Sequence, residues 1–177
     1  MIAVLSQWKQ MRPDLILRPF IPADLPMMAA WLATPAVRRW WGEPAEQLAL
    51  VSDDLDNPLM DQKIACPDAA PFGYLQSYPC AAWGPSQFAD MSDDARAVDS
   101  CIGVSVMLSK GFGSAMLRLY AQTLLASGAP AVVIDPDPSN ERAVRSYRRA
   151  GFQDIAIRPD QDGDWVLVMR FDPHSLW

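Results

Sequence analysis

The residues Ser109-Lys110-Gly111-Phe112-Gly113-Ser114 stand between an apolar run, Cys101 to Leu108, and a long helical pattern, Ala115 to Ala126. The spacing predicts a strand, a glycine turn and a helix N-terminus. Such a turn leaves several backbone N–H groups unpaired and aligned with the positive end of the helix dipole. That is an anion cradle. Glycines at 111 and 113 let the backbone approach a bulky phosphate, and Lys110 adds a full charge at the rim. The chemistry implied is the binding of a phosphate-bearing cofactor. Taken alone, Gly-Phe-Gly serves a tight turn before a helix equally well with nothing bound. No G-x-x-x-x-G-K-[ST] is present and position 116 is Met116 rather than a third glycine, so triphosphate and dinucleotide loops lose ground.

Other chemistries are bounded by what the chain contains. Its one histidine is His174, close to the C-terminus, so Ser-His-Asp, Cys-His and histidine-metal sites have no support. Cys66, Cys80 and Cys101 are widely spaced and odd in number, which implies neither a disulfide framework nor a zinc site. The net charge of −6 argues against nucleic acid and suits a cationic partner. Aspartates gather at 53, 54, 56 and 61, and again at 90, 93, 94 and 99. Solvated loops explain either cluster; two together suggest a cleft that attracts a polyamine. Trp40-Trp41-Gly42 offers flat faces for stacking, with Trp41 expected to be the exposed one and the other to plug the core.

Leu15 to Phe20 reads as a strand and Leu25 to Leu32 as a helix capped by Asp24 and stopped by Pro35. A second helical pattern runs from Pro44 to Leu55. Asp61 to Ala65 and Phe72 to Tyr78 pattern as central strands, and Gly73 marks a bulge or the close approach of a ligand. Pro79 to Arg96 has the length and composition of a substrate-facing lid. Ala97 to Leu108 is expected as one strand, followed by the helix that ends at Ser127-Gly128 and the buried strand Ala131 to Ile134. Asp137 is expected to cap a helix with Pro138 in its first turn, ended by Gly151, before a closing hairpin of Phe152 to Ile157 and Trp165 to Phe171. The chain of 177 residues, half of them hydrophobic, is expected to form one mixed α/β domain with residues 1–12 peripheral. Nothing resembles a membrane span or a signal peptide, and a cytoplasmic location is the expectation.

Two motifs then carry a resemblance over nearly the full length. The glycine turn at Gly111 and Gly113, together with Asn140-x-x-Ala143-x-x-x-Tyr147-x-x-x-Gly151-Phe152, is similar to the two coenzyme A segments of the GCN5-related N-acetyltransferases. One position departs: Leu108 stands where the family often has Gln or Arg. The resemblance implies an α/β fold with a central twisted mixed sheet flanked by helices, acetyl-CoA as co-substrate and no metal. It implies cofactor contacts at Met107, Leu108, Lys110, Gly111, Phe112, Gly113, Ser114, Asn140, Ala143 and Tyr147.

Trp40-Trp41-Gly42, Gly73-Tyr74-x-Gln76-Ser77-Tyr78, Arg96-x-Val98-Asp99 and Asp135-Pro136-x-Pro138-Ser139-Asn140 resemble the aminoglycoside 6'-N-acetyltransferase branch. That branch implies Trp41, Gln76, Tyr78, Asp99 and Asp135 on a cationic amine. Asp99 would accept the amine proton, directly or through water, and Tyr147 would protonate the leaving thiolate. Asp135 serves equally as a turn aspartate; for Tyr147 the other reading is a core aromatic, and its place in the Asn140 to Gly151 motif favours the role on the thiolate. Two other readings stand beside this one: a siderophore-precursor hydroxylamine as acceptor, and a coenzyme A sensor without turnover. Monomer and homodimer are both compatible with the sequence.

Overall fold

Alternation of apolar residues along short segments, broken by two long helical patterns, resolves into one seven-stranded sheet in the computed structural model, which describes residues 14–82 and 87–175. The strands are β1 (Leu15–Pro19), β2 (Asp61–Pro67), β3 (Gly73–Pro79), β4 (Arg96–Ile102), β5 (Val132–Ile134), β6 (Phe152–Pro159) and β7 (Trp165–Phe171). The helices are α1 (Leu25–Leu32), α2 (Pro35–Trp41), α3 (Pro44–Asp53), α4 (Phe112–Ala126) and α5 (Glu141–Ala150). Strand order is β1-β2-β3-β4-β5-β7-β6, and every pair is antiparallel except β4 and β5. Among the described residues no helix is long and apolar enough to cross a membrane. The expected reading of residues 1–12 lies outside the described residues.

The parallel pair is short, and its shortness makes room for a site. β4 and β5 pair only at Arg96 with Val132 and Ala97 with Val133. Beyond those positions the two strands have no further pairing, so Val98 to Ile102 and Ile134 to Asp137 border a gap. Side chains alternate across a strand, so β4 serves both faces of the sheet. Ala65, Phe72, Leu75 and Val98 join Met116, Leu117 and Tyr120 of α4 and Val144 of α5 in one core. Ile64, Tyr74 and Cys101 join Met28, Trp31 and Leu32 of α1, Val37 of α2 and Val51 of α3 in another. A third cluster joins Ala97 and Val133 to Phe88, Val166 and Val168.

Several local expectations are corrected here. Asp24 is not a side-chain helix cap: its carboxylate accepts from both terminal nitrogens of Arg18 (2.6 and 2.7 Å) and from the Ile21 N–H (3.0 Å). Pro35 does not merely stop α1; its fixed φ starts α2. Gly73 marks neither a bulge nor a ligand, because a Cβ there would lie 2.8 Å from Met116 Sδ and 3.0 Å from the Cys101 carbonyl oxygen. The expected strand from Ala97 to Leu108 ends at Ile102. Gly103 then passes under the Trp31 ring, where a Cβ would come within 1.9 Å of Cγ, and a 3-10 turn at Ser105–Met107 follows. Asp137 and Pro138 precede α5 rather than opening it. Asn140 is its cap and accepts from the Ala143 N–H at 3.2 Å, while Asp137 accepts from the Ser139 N–H at 2.7 Å.

Candidate active site

A cavity of about 630 Å³ fills the gap between β4 and β5 and runs on between α4 and α5. Its walls bring together residues far apart in sequence. Asp99 to Ile102 come from β4, Asp135 to Asp137 from the end of β5, and Trp40 and Trp41 from α2. Leu108, Ser109, Gly111, Gly113 and Ser114 come from the turn into α4, and Asn140, Ala143, Ser146 and Tyr147 from α5.

The glycine turn has the conformation its residues allow. Gly111 lies at φ 84°, and Ser109 before it at φ 61°. A left-handed position is cheap for glycine and strained for a residue with a Cβ. Gly113 has a different reason, because a Cβ there would meet Ser146 Oγ at 3.1 Å and Ile102 Cδ1 at 3.2 Å. Its missing side chain lets α4 start close against α5. Gly111, Gly113 and Ser114, at the start of this 15-residue helix, line the cavity, and the first N–H groups of a helix have no partner within it. Phe112 turns the other way, packing its ring 5.4 Å from that of Phe72. Met107 packs against the same core, Lys110 is exposed, and none of these three lines the cavity.

One end of the cavity is built on β3 and β4. Gln76 stands opposite Asp99 in the antiparallel register, and its Nε2 donates to Asp99 Oδ2 at 2.8 Å. Burial raises the Asp99 carboxyl above the usual carboxylate range, with the Gln76 bond pulling the other way. Asp135 is pushed up to about 7, first by burial and then by the charge of Asp99, against the bond it accepts from Gln87 Nε2. The Gln87 Oε1 is buried without a partner, and Arg158 holds the Gln87 carbonyl at 3.0 Å and Asp90 through both terminal nitrogens. The described part of the Pro79 to Arg96 segment is thus tied to Asp135 and to β6; Trp83 lies outside the described residues. Tyr78 packs on the cluster around Ala97 and Val133 and does not line the cavity, though the charge of Asp99, then burial, then Asp135 raise its phenol.

Both tryptophans border the cavity half-buried. Trp41 packs edge-on to Tyr74 at 5.9 Å and against the α1–α3 core, whereas Trp40 has the Arg39 guanidinium over its ring at 4.8 Å. The expectation that one would plug the core and Trp41 would be the exposed one is therefore corrected: neither is fully buried, and Trp41 is the one seated on the core. Tyr147 lines the cavity from α5; burial pushes its phenol up to about 12, offset in part by a bond with Ser100 on β4.

Residue-by-residue reading missed Arg142, Arg145 and Arg149, which bring positive charge to the α5 wall of the cavity. Their helical spacing was a visible signal of a shared face. Arg145 is partly spent on Glu141 at 3.0 Å.

Comparison with known proteins agrees with this geometry. A family model described as an acetyltransferase (GNAT) domain matches residues 21–157. Aminoglycoside N(6')-acetyltransferase type 1 of Klebsiella pneumoniae is 30% identical over 156 residues, covering 83% of this chain and 78% of that protein. The protein of the same name from Serratia marcescens matches equally. Among solved structures, aminoglycoside acetyltransferase AAC(6')-Ib in complex with coenzyme A and kanamycin superposes with a TM-score of 0.79 at 27% identity, covering 89% of this chain and 94% of that one. The same enzyme with paromomycin and acetyl-CoA gives 0.79 at 27% identity, covering 89% and 92%. With the splayed strands, the glycine turn and the Asn140 to Gly151 motif all in place, the chain belongs to the GNAT acetyltransferase family.

Proposed function

We propose that this acetyltransferase moves the acetyl group of acetyl-CoA to the 6'-amine of an aminoglycoside, or of a closely similar polyamine. The observation that carries the reading is one cavity with two carboxylates, Asp99 and Asp135, at one end and a helix N-terminus with arginines at the other. The cofactor end fits a coenzyme A pyrophosphate: the helix start at Gly111, Gly113 and Ser114 offers backbone donors, and Arg142 and Arg149 offer charge. Acetyl-CoA supplies an acetyl group activated as a thioester.

The chain's own residues do the rest. Asp135 holds an ammonium group of the acceptor. Asp99 takes the proton that the attacking amine must lose, directly or through water. Tyr147 stays protonated at neutral pH because its pKa is about 12, so its phenol is available to give a proton to the departing sulfur. The half-buried faces of Trp40 and Trp41 flank the acceptor's rings.

The test is thiol release from acetyl-CoA with kanamycin and a panel of simpler amines. Turnover with kanamycin is expected, with kcat falling about a hundredfold or more in Asp99→Asn. Undiminished turnover in that variant removes Asp99 as the base. Acetyl-CoA binding without release to any amine removes the enzyme reading.

A further inference from the structure

Gln76 and Tyr74 lie two residues apart on β3, on the sheet face that also carries Asp99. The Tyr74 hydroxyl is 2.8 Å from Gln76 Oε1, and Gln76 Nε2 is 2.8 Å from Asp99 Oδ2. The direction of this chain is set by what each group can do. An ionised carboxylate only accepts, so the amide must present its nitrogen to Asp99 and its oxygen away from it. That oxygen then needs a donor, and among the described residues the Tyr74 O–H supplies it.

The hydroxyl is fixed in place. Tyr74 is fully buried (0% exposed), with its ring gripped edge-on by Phe20 at 5.3 Å and Trp41 at 5.9 Å. Gln62, opposite Gln76 on β2, faces the same hydroxyl while its own nitrogen donates to the Val51 carbonyl at 3.0 Å. We propose that Tyr74 is a positioning residue of this site: its hydroxyl locks the Gln76 amide so that the nitrogen holds the Asp99 carboxylate in the cavity. The inference rests on the reading of Asp99 as the base. Without the hydroxyl the amide is free to turn and to offer its oxygen to the carboxylate, which repels it.

The groups that face Asp99 from neighbouring elements are Gln76, Tyr74 and Tyr78 on β3, Asp135 after β5, Tyr147 on α5 and Cys101 on its own strand. Of these, Tyr74→Phe alters only the hydroxyl of Tyr74. The Gln76 bond lowers the Asp99 pKa, so loosening it must raise that pKa. Protein labelled with ¹³C in its aspartate carboxyls, with Asp99 assigned through Asp99→Asn, reads this directly. In Tyr74→Phe the Asp99 midpoint is expected to rise by about half to one pH unit. Turnover of kanamycin at neutral pH is expected to fall about three- to tenfold, with the KM for acetyl-CoA unchanged. Adding Tyr74→Phe to Gln76→Leu is expected to cost nothing further, because the hydroxyl acts through Gln76. An unmoved midpoint, or a full additional loss in the Gln76→Leu background, overturns the proposal. Undiminished turnover in Asp99→Asn instead overturns the base assignment, while the midpoint still decides whether Tyr74 sets the carboxylate.

Discussion

Replacing Asp135 by asparagine should make the protein's stability less sensitive to pH between 5 and 8. Asp135 has a carboxyl near 3.8 when unfolded and about 7 when folded, so the folded state holds one more proton than the unfolded state between those values. Stability from this group is therefore fully present below its unfolded pKa and lost as pH rises through about 7. Taken at its full extent, the shift removes about 2 to 3 kcal/mol between pH 5 and pH 8, and about 2 kcal/mol once water at the cavity mouth is allowed for. Depressed carboxylates do not act in this window. Asp24, held low by its Arg18 bond, loses its contribution only as pH falls below the ordinary carboxylate range.

Asparagine keeps an oxygen that can accept from Gln87 Nε2, so the substitution removes the charge and not the contact. Urea unfolding of both proteins at pH 5, 6, 7 and 8, followed by tryptophan fluorescence, supplies the comparison. The variant should gain on the native protein by about 2 kcal/mol from pH 5 to pH 8. Stability curves that run parallel across this range would show that Asp135 is not a buried, raised carboxylate, and the argument for its pairing with an ammonium would go with it.

Two further outcomes follow from the geometry. Gly103→Ala forces a Cβ into the Trp31 ring, 1.9 Å from Cγ, and is expected to destabilise the fold by about 3 kcal/mol or more, read as a lowered urea midpoint. Asn140→Ala should cost about 1 kcal/mol through the lost cap on α5, and Asn140→Asp should restore that stability. If Asn140→Asp also binds acetyl-CoA as the native protein does, Asn140 serves the cofactor by holding α5 rather than by touching it.

Most of the sheet was legible because short apolar runs between turn residues leave few alternatives, and α4 and α5 announce themselves by period and by glycines past their ends. The end of β4 was not legible. The run Cys101 to Leu108 stays largely apolar past the strand's end, and the Trp31 ring that lies against Gly103 there is a contact across some seventy positions of sequence. The cap of α5 was misplaced for a local reason. Asp137 and Asn140 are both good caps, and Asp137 is spent on the Ser139 N–H. Within the candidate site, motif reading gathered Asp99, Gln76, Asp135, Tyr147 and the glycine turn, which do share one cavity. It also drew in Met107, Lys110 and Phe112, because a motif names consecutive residues whereas a helix start turns them to different sides. Tyr74 had no role of its own in the stretch Gly73 to Tyr78, since nothing in a sequence says that a buried hydroxyl lies 2.8 Å from the amide that holds a carboxylate.

Neighbouring residues of one strand point to opposite faces, and this sets a condition on the proposed chemistry. Asp99 faces Gln76 and the α1–α3 side, while Ser100, the next residue, bonds Tyr147 on the α4–α5 side. The proposed base and acid thus stand on different sides of the sheet. In a continuous sheet the backbone ladder would separate them. Here β4 and β5 have no pairing beyond Ala97 and Val133, and the cavity passes through the gap with Asp99 and Tyr147 both on its wall. The split is therefore a requirement of the mechanism: an amine held on one face can meet a thioester arriving from the other only where the two strands have parted. A slip of one residue in the pairing of β3 with β4 would exchange Asp99 for Val98 or Ser100 opposite Gln76 and leave the gap without the proposed base.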